Sequence, residues 1–203
     1  MQQASMPEQR MIILASASPR RKELLSLIGL KFRVDVSDYE EDLGLELKPH
    51  ELAKYLSLEK ARAVAHKYKD AVIIAADTFI VFRGKLLGKP HTEKEAMRML
   101  TMLNGKLHSV ITGYTVLDTL SGRKHSAAIE TKVWFRKMTD EELRAYVKTG
   151  EPLDKAGAYA IQGIGSLIIK KIEGDYFNVI GLPVASLAVT LKRFGINVLG
   201  SLR

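Results

Sequence analysis

Asp77 stands at the end of an unbroken apolar run, Ala71 to Ala76, and is followed at once by Thr78. A run of that kind reads as a central strand covered on both faces, and a carboxylate at its carboxyl end projects into the cleft of an α/β sheet. Burying a lone carboxylate there is costly. Two readings stay open: an Asp that opens a turn, or an acid that works beside a metal and phosphate oxygens by orienting an attacking water. Glu40 and Glu41, flanked by Asp38 and Asp42, offer the hard oxygen ligands that suit Mg²⁺, which takes one or two protein carboxylates plus water and phosphate. The same stretch also reads as a solvated acidic loop.

The cations that would face such acids come from several places. Met11 to Leu14 is a short apolar run of strand type that turns through Ser16, Ala17, Ser18, Pro19, Arg20 and Arg21 into a helix. Ser18 suits the N-cap and Pro19 the first turn, while Leu24, Leu25 and Ile28 face the core and Gly29 stops the helix. The positive end of the helix dipole, free backbone N–H groups, the hydroxyls of Ser16 and Ser18 and the guanidinium groups of Arg20 and Arg21 converge on one spot, an anion site. On that reading both arginines serve the ligand rather than the fold; an ordinary helix start with solvated arginines is the alternative. Lys60 and Lys89 would add point charges to an anionic ligand, although lysines are commonly plain surface. Gly84 to Lys89 is not a P-loop, since it has too few residues between its glycines and Pro90 stands where Ser or Thr is required.

A second cluster runs from Asp154, Lys155, Ala156, Gly157, Ala158 and Tyr159 to Ile161, Gln162 and Gly163. Gly157, Gly163 and Gly165 let backbone approach a ligand, Tyr159 can stack, and Gln162 carries both a donor and an acceptor. His50, His66, His91 and His125 have no zinc spacing, His108 reads as structural, and Trp134 with Phe135 reads as core.

Taken in order, the Ser-x-Ser-Pro-Arg-Arg turn, Glu40-Glu41, Glu59-Lys60-Ala61-Arg62, Ala76-Asp77-Thr78, Gly88-Lys89-Pro90, the Asp154–Tyr159 and Ile161–Gly163 motifs and Gly181-Leu182-Pro183 resemble the Maf family of nucleoside triphosphate pyrophosphatases. The resemblance spans roughly Ile12 to Leu199. It implies that Asp77 is the proton acceptor, that Glu41 and Asp77 hold a divalent metal (Mg²⁺ or Mn²⁺), and that Ser16, Ser18, Arg20, Arg21, Lys60, Lys89 and Lys155 bind phosphates. It also implies that Arg20, Thr78 and Gln162 set base choice, Thr78 marking the branch that acts on dTTP, UTP and modified pyrimidine nucleotides. A fold shared with inosine triphosphatases, two lobes around a central cleft, follows from the same resemblance, as does a homodimer.

The elements that would carry these groups alternate early and pair up later. Phe32 to Val36 reads as a strand and Pro49 to Tyr68 as a long helix with Leu52, Tyr55, Leu56 and Ala63 on its apolar side and Glu59, Lys60 and Arg62 on its charged side. Phe79 to Phe82 and Lys85 to Leu87 read as a hairpin turning at Arg83-Gly84, and Thr92 to Leu103 as a helix with a capping box. His108 to Leu120 and Lys124 to Arg136 read as a long hairpin; Thr139 opens a helix that Gly150 closes. Leu167 to Ile172 is a strand, Pro183 to Phe194 the last helix and Ile196 to Leu199 a final strand. The class is α/β with a mixed, strongly twisted sheet and flanking helices.

Composition narrows the function without choosing it. The 203 residues, 46% hydrophobic and 27% charged, suit a globular chain, read as one catalytic domain over 11–203 after a loose leader, 1–10. The absence of cysteine excludes a disulfide framework, a thiolate zinc site and a cysteine nucleophile. No apolar run approaches the ~18 residues of a membrane span, which makes the cytoplasm the simplest location. A net charge of +8 favours polyanions. Charge alone would also allow a nucleic-acid-binding or cell-division regulatory protein without turnover, and the related fold a purine (inosine or xanthosine) triphosphatase; a nucleoside triphosphate is the expected partner, not a nucleic acid or a membrane.

Overall fold

The computed structural model describes residues 10–40 and 45–201. The strands are β1 (Ile12–Leu14), β2 (Arg33–Val34), β3 (Val72–Phe82), β4 (Lys85–Leu87), β5 (Leu107–Asp118), β6 (Lys124–Phe135) and β7 (Ile169–Glu173). The helices are α1 (Pro19–Leu27), α2 (Pro49–Ala65), α3 (Glu93–Leu103), α4 (Asp140–Lys148), α5 (Tyr176–Ile180) and α6 (Val184–Arg193). All strands join one sheet in the order β2-β1-β3-β5-β6-β7, with β4 added to β3. Pairing is parallel among β2, β1 and β3 and antiparallel elsewhere, so the sheet is mixed as expected.

β3 is the spine. Its side chains alternate between the two faces of the sheet. Ile73 and Ala75, with Ile13 of β1 and Ala15 just after it, pack under Ala61 and Val64 of α2; farther along, Phe79 packs against Leu52, Ala53 and Leu56 of the same helix. On the other face Val72, Ile74 and Ala76 lie beneath α1 and α6, with Leu24, Leu25, Leu187 and Leu191. Ile80 and Phe82 continue that face beneath α3 and α4 through Leu100, Leu103 and Leu143. Thr78 falls between these two cores.

One glycine sets how close α2 comes. Gly113 of β5 pairs with Asp77 in register, and a Cβ built on it would lie 2.1 Å from the Ala53 carbonyl oxygen of α2. No side chain fits there, so the helix backbone rests directly on the sheet.

Several expectations need correcting. The apolar run ending at Ala76 and the strand starting at Phe79 are one eleven-residue strand, so Asp77 lies inside β3 rather than at its end. β2 is only two residues long, and 196–198 form no strand, a 3-10 turn following at Leu199–Ser201. Tyr159 does not present a free stacking face: it is 5% exposed, packed edge-on against His108 and Phe135. The β3–β4 hairpin does turn at Arg83-Gly84, with φ of 51° and 76°, the double positive φ of a two-residue hairpin. Thr139 makes the full capping box with Glu142, whereas Thr92 accepts from Glu95 N and Glu95 reaches back to His91 N instead. Of the expected leader, 1–9 lies outside the described residues, but Arg10 is tied in, its guanidinium bonding Asp70 and Asp118 at 2.7 Å each. That contact holds the Asp118 carboxyl well below the usual carboxylate range.

His108 is structural, as expected. Its Nε2 pairs with the Tyr159 hydroxyl at 2.8 Å, and burial pushes its pKa down to about 4. Neutral in the fold and titrating near ~6.5 when unfolded, it contributes stability above that value which is lost as pH falls toward 4, roughly 3 kcal/mol over the window. The urea midpoint of the protein should therefore fall between pH 7 and 4.5 more steeply than that of His108→Gln. Parallel pH profiles would show that His108 does not control the acid side.

Candidate active site

β3 is bordered on one side by β5 from Val72 to Val81. On the other side β1 stops pairing at Ile74 and β4 begins at Ile80, so residues 75–79 face a notch in the sheet. Asp77 and Thr78 point to opposite faces, yet both border this gap. A mid-strand position is thereby open to the cleft where the sequence suggested a strand end. A cleft of about 770 Å³ opens over the notch, within the size range of a small-molecule site.

The turn after β1 forms one wall. Pro19 starts α1 with Ser18 at the N-cap, but the Ser18 hydroxyl makes no capping bond. Instead Ser18 N donates to Ser16 Oγ at 3.2 Å. Arg21 is anchored: Nε donates to Gly181 O (2.9 Å), Nη1 to Ser16 Oγ (3.1 Å) and Nη2 to Thr78 Oγ1 (3.1 Å). The Thr78 hydroxyl also pairs with Thr112 Oγ1 at 2.9 Å, and Thr112 donates to Asn178 O. Thr78 thus braces Arg21 from within the fold.

α2 forms the floor. Lys60 does not lie on the solvated side. It continues the buried stripe of Ala53, Leu56, Ser57 and Val64, and its side chain is 12% exposed. Its Nζ donates to Asp77 Oδ1 at 2.9 Å, and the Asp77 side chain is 10% exposed. The other wall carries Lys89, exposed after β4, and the loop after α4. There Lys155 bonds Asp154 Oδ1 and Glu151 O, and Gln162 is exposed on the cleft.

Ser16, Ser18, Arg20, Arg21, Lys60, Asp77, Thr78, Lys89, Lys155 and Gln162 therefore share one cleft. Glu41 lies outside the described residues. Sequence reasoning missed Tyr39 and His91, which also line the cleft. His91, two residues after Lys89, could have been found from that adjacency; nothing marked Tyr39. Five cations border the cleft against two carboxylates, Asp77 and Asp154, among the described residues. No cluster of three acidic or histidine side chains able to hold a metal alone occurs among those residues. A buried carboxylate facing cations does fit Mg²⁺ held mainly by phosphate oxygens and water, for which one protein carboxylate suffices.

Fold and site together define a mixed α/β protein whose split sheet opens onto a basic cleft with a buried acid. The chain belongs to the Maf-like protein family, whose model matches residues 11–194. A Methanosarcina barkeri protein named dTTP/UTP pyrophosphatase is 52% identical over 190 residues, covering 93% of this chain and 96% of that one. A protein of the same name from Thermoanaerobacter pseudethanolicus is 52% identical over 183 residues, covering 90% and 95%. A solved nucleoside-triphosphatase / dITP/XTP pyrophosphatase from Mycobacterium abscessus covers 95% of this chain and 100% of that chain at 11% identity and TM-score 0.42, a likeness too slight to argue from.

Proposed function

We propose that this protein hydrolyses dTTP, UTP and modified pyrimidine nucleoside triphosphates between the α and β phosphates, giving a nucleoside monophosphate and pyrophosphate. The observation that carries the reading is Asp77, a buried carboxylate held by Lys60 in a cleft bordered by four further cations. Relatives about half identical over nearly their whole length are named dTTP/UTP pyrophosphatase.

The triphosphate is held by Arg20, Arg21, Lys60, Lys89 and Lys155, which neutralise the charge that builds on the departing pyrophosphate. Asp77 orients a water and takes its proton as the water attacks phosphorus. Asp77, with Glu41, would hold a divalent cation, Mg²⁺ or Mn²⁺, whose chemistry is to polarise the phosphoryl oxygens. Arg20, Thr78 and Gln162, which line the same cleft, would set base choice. The cytoplasm is the setting this substrate implies.

The test is pyrophosphate release from standard and modified nucleoside triphosphates with Mg²⁺, where dTTP and UTP should outrun ATP and GTP. Faster purines would overturn the assignment of Thr78 and Gln162. Binding of nucleic acid that weakens steeply with salt and ignores Asp77 would favour a regulatory protein.

Arg20 and Arg21 separate in their expected effects, which revises the view that both serve only the ligand. Arg20→Ala should raise KM and leave the melting temperature in place. Arg21→Ala should raise KM and also lower stability by about 1–3 kcal/mol, because Thr78, Ser16 and Gly181 lose their partner. Equal melting temperatures for the two variants would show that those bonds are not structural.

A further inference from the structure

The loop that carries Lys155 and Gln162 has no regular secondary structure to hold it, only short 3-10 turns. Its two ends are tied together by one carboxylate. Glu151, at the start of the loop, turns its carboxylate to the far end: Gly165 N donates to Oε1 at 2.8 Å and Ile164 N to Oε2 at 3.0 Å. The Tyr146 hydroxyl, from α4, donates to the same Oε1 at 2.9 Å and accepts from Ala160 N at 3.3 Å. The Glu151 carbonyl accepts from the Lys155 ammonium at 3.3 Å.

The backbone is shaped to this contact. Gly163 has φ +67°, and a Cβ there would lie 2.6 Å from Glu151 Oε2. Gly165 is equally closed, its Cβ position 2.6 Å from the Tyr146 hydroxyl and 2.2 Å from Ala160 O. The glycines that look ligand-directed in the sequence are thus needed, at these two positions, to let the loop wrap a carboxylate of its own chain. Charge-assisted bonds from two successive N–H groups and a phenol are strong for an irregular segment.

We propose that Glu151 is a positioning residue: it clamps the two ends of the loop so that Lys155 and Gln162 meet the nucleotide in fixed geometry. The proposal rests on the nucleotide reading for its kinetic part and is independent of it for its structural part. Glu151 contributes no charge to the substrate. It lowers the disorder the loop would otherwise lose on binding, so its removal acts on affinity more than on the chemical step.

Glu151→Gln keeps the size but turns an amide N–H₂ toward one of the two loop N–H groups. For the full chain, dTTP should show KM raised about tenfold with kcat within about twofold. Amide hydrogen exchange, which needs no activity, should speed up in peptides covering 160–168 and stay unchanged in β3 and β5. Thr139→Ala loosens the start of α4 without touching the loop, and it should leave KM unchanged. Unaltered exchange at 160–168 in Glu151→Gln overturns the clamp, as does an equal rise in KM in Thr139→Ala, or a fall in kcat as large as the change in KM. A wild-type protein inactive on all nucleotides while the exchange result holds would sink the substrate reading and leave the clamp standing.

Discussion

Asp77→Asn should retain nucleotide binding and lose about 10²- to 10⁴-fold in turnover, the typical cost of removing a general base. Asn keeps the shape and an acceptor for Lys60 but cannot take a proton from water. The geometry adds a second consequence. Because Lys60 Nζ lies 2.9 Å from Asp77 Oδ1 with both side chains nearly buried, weakening this pair should also cost roughly 1–3 kcal/mol of stability. Pyrophosphate release with Mg²⁺, nucleotide binding by calorimetry and thermal melting, measured side by side, separate the effects. Full turnover in the Asn variant would remove Asp77 from the chemistry; loss of binding together with folding would make it structural.

Gly113→Ala should be severely damaging although it lies outside the cleft. The new methyl group would sit 2.1 Å from Ala53 O and 2.2 Å from Ala53 C, both backbone atoms that no side-chain rotation can move away. The helix would have to lift from the sheet, with a loss of about 3–5 kcal/mol, at the upper end of single-residue effects. Lifting α2 also draws Lys60 away from Asp77, so activity should fall even at temperatures where the variant stays folded. The check is a denaturant titration with activity at low temperature; stability within ~0.5 kcal/mol of wild type would mean that α2 shifts freely.

Lys60 shows what could have been read further from the sequence. Ala53, Leu56, Ser57 and Val64 bracket it at helical spacing, and a cation on an apolar stripe calls for a buried partner. The long β5–β6 hairpin was legible because alternation and the turn residues agreed. The continuity of β3 was not, because Asp77-Thr78 interrupts the apolar run just as a turn would. Only the gap between β1 and β4 explains polar residues inside a central strand, and that gap is a fact of the sheet's assembly with no local signal. The cleft residues were legible through family motifs, which carry identity and order. The Glu151 clamp was not, since a contact closing an irregular loop leaves no periodicity to detect.

The notch also bears on what can pair with the open strand edge. Residues 75–79 form a length of strand edge with no strand beside it, and such an edge is ordinarily a template on which a neighbouring chain adds a strand and aggregation begins. Here the open length lies inside the sheet, stopped at one end by β1 and at the other by β4. An incoming strand running along it would collide with both before it gained more than a few backbone bonds. A nucleotide's phosphate chain, compact and strandless, meets no such obstacle. The short hairpin at Arg83-Gly84 thus closes one end of that edge, and shortening it would lengthen the run of unpaired backbone beyond what a small ligand needs.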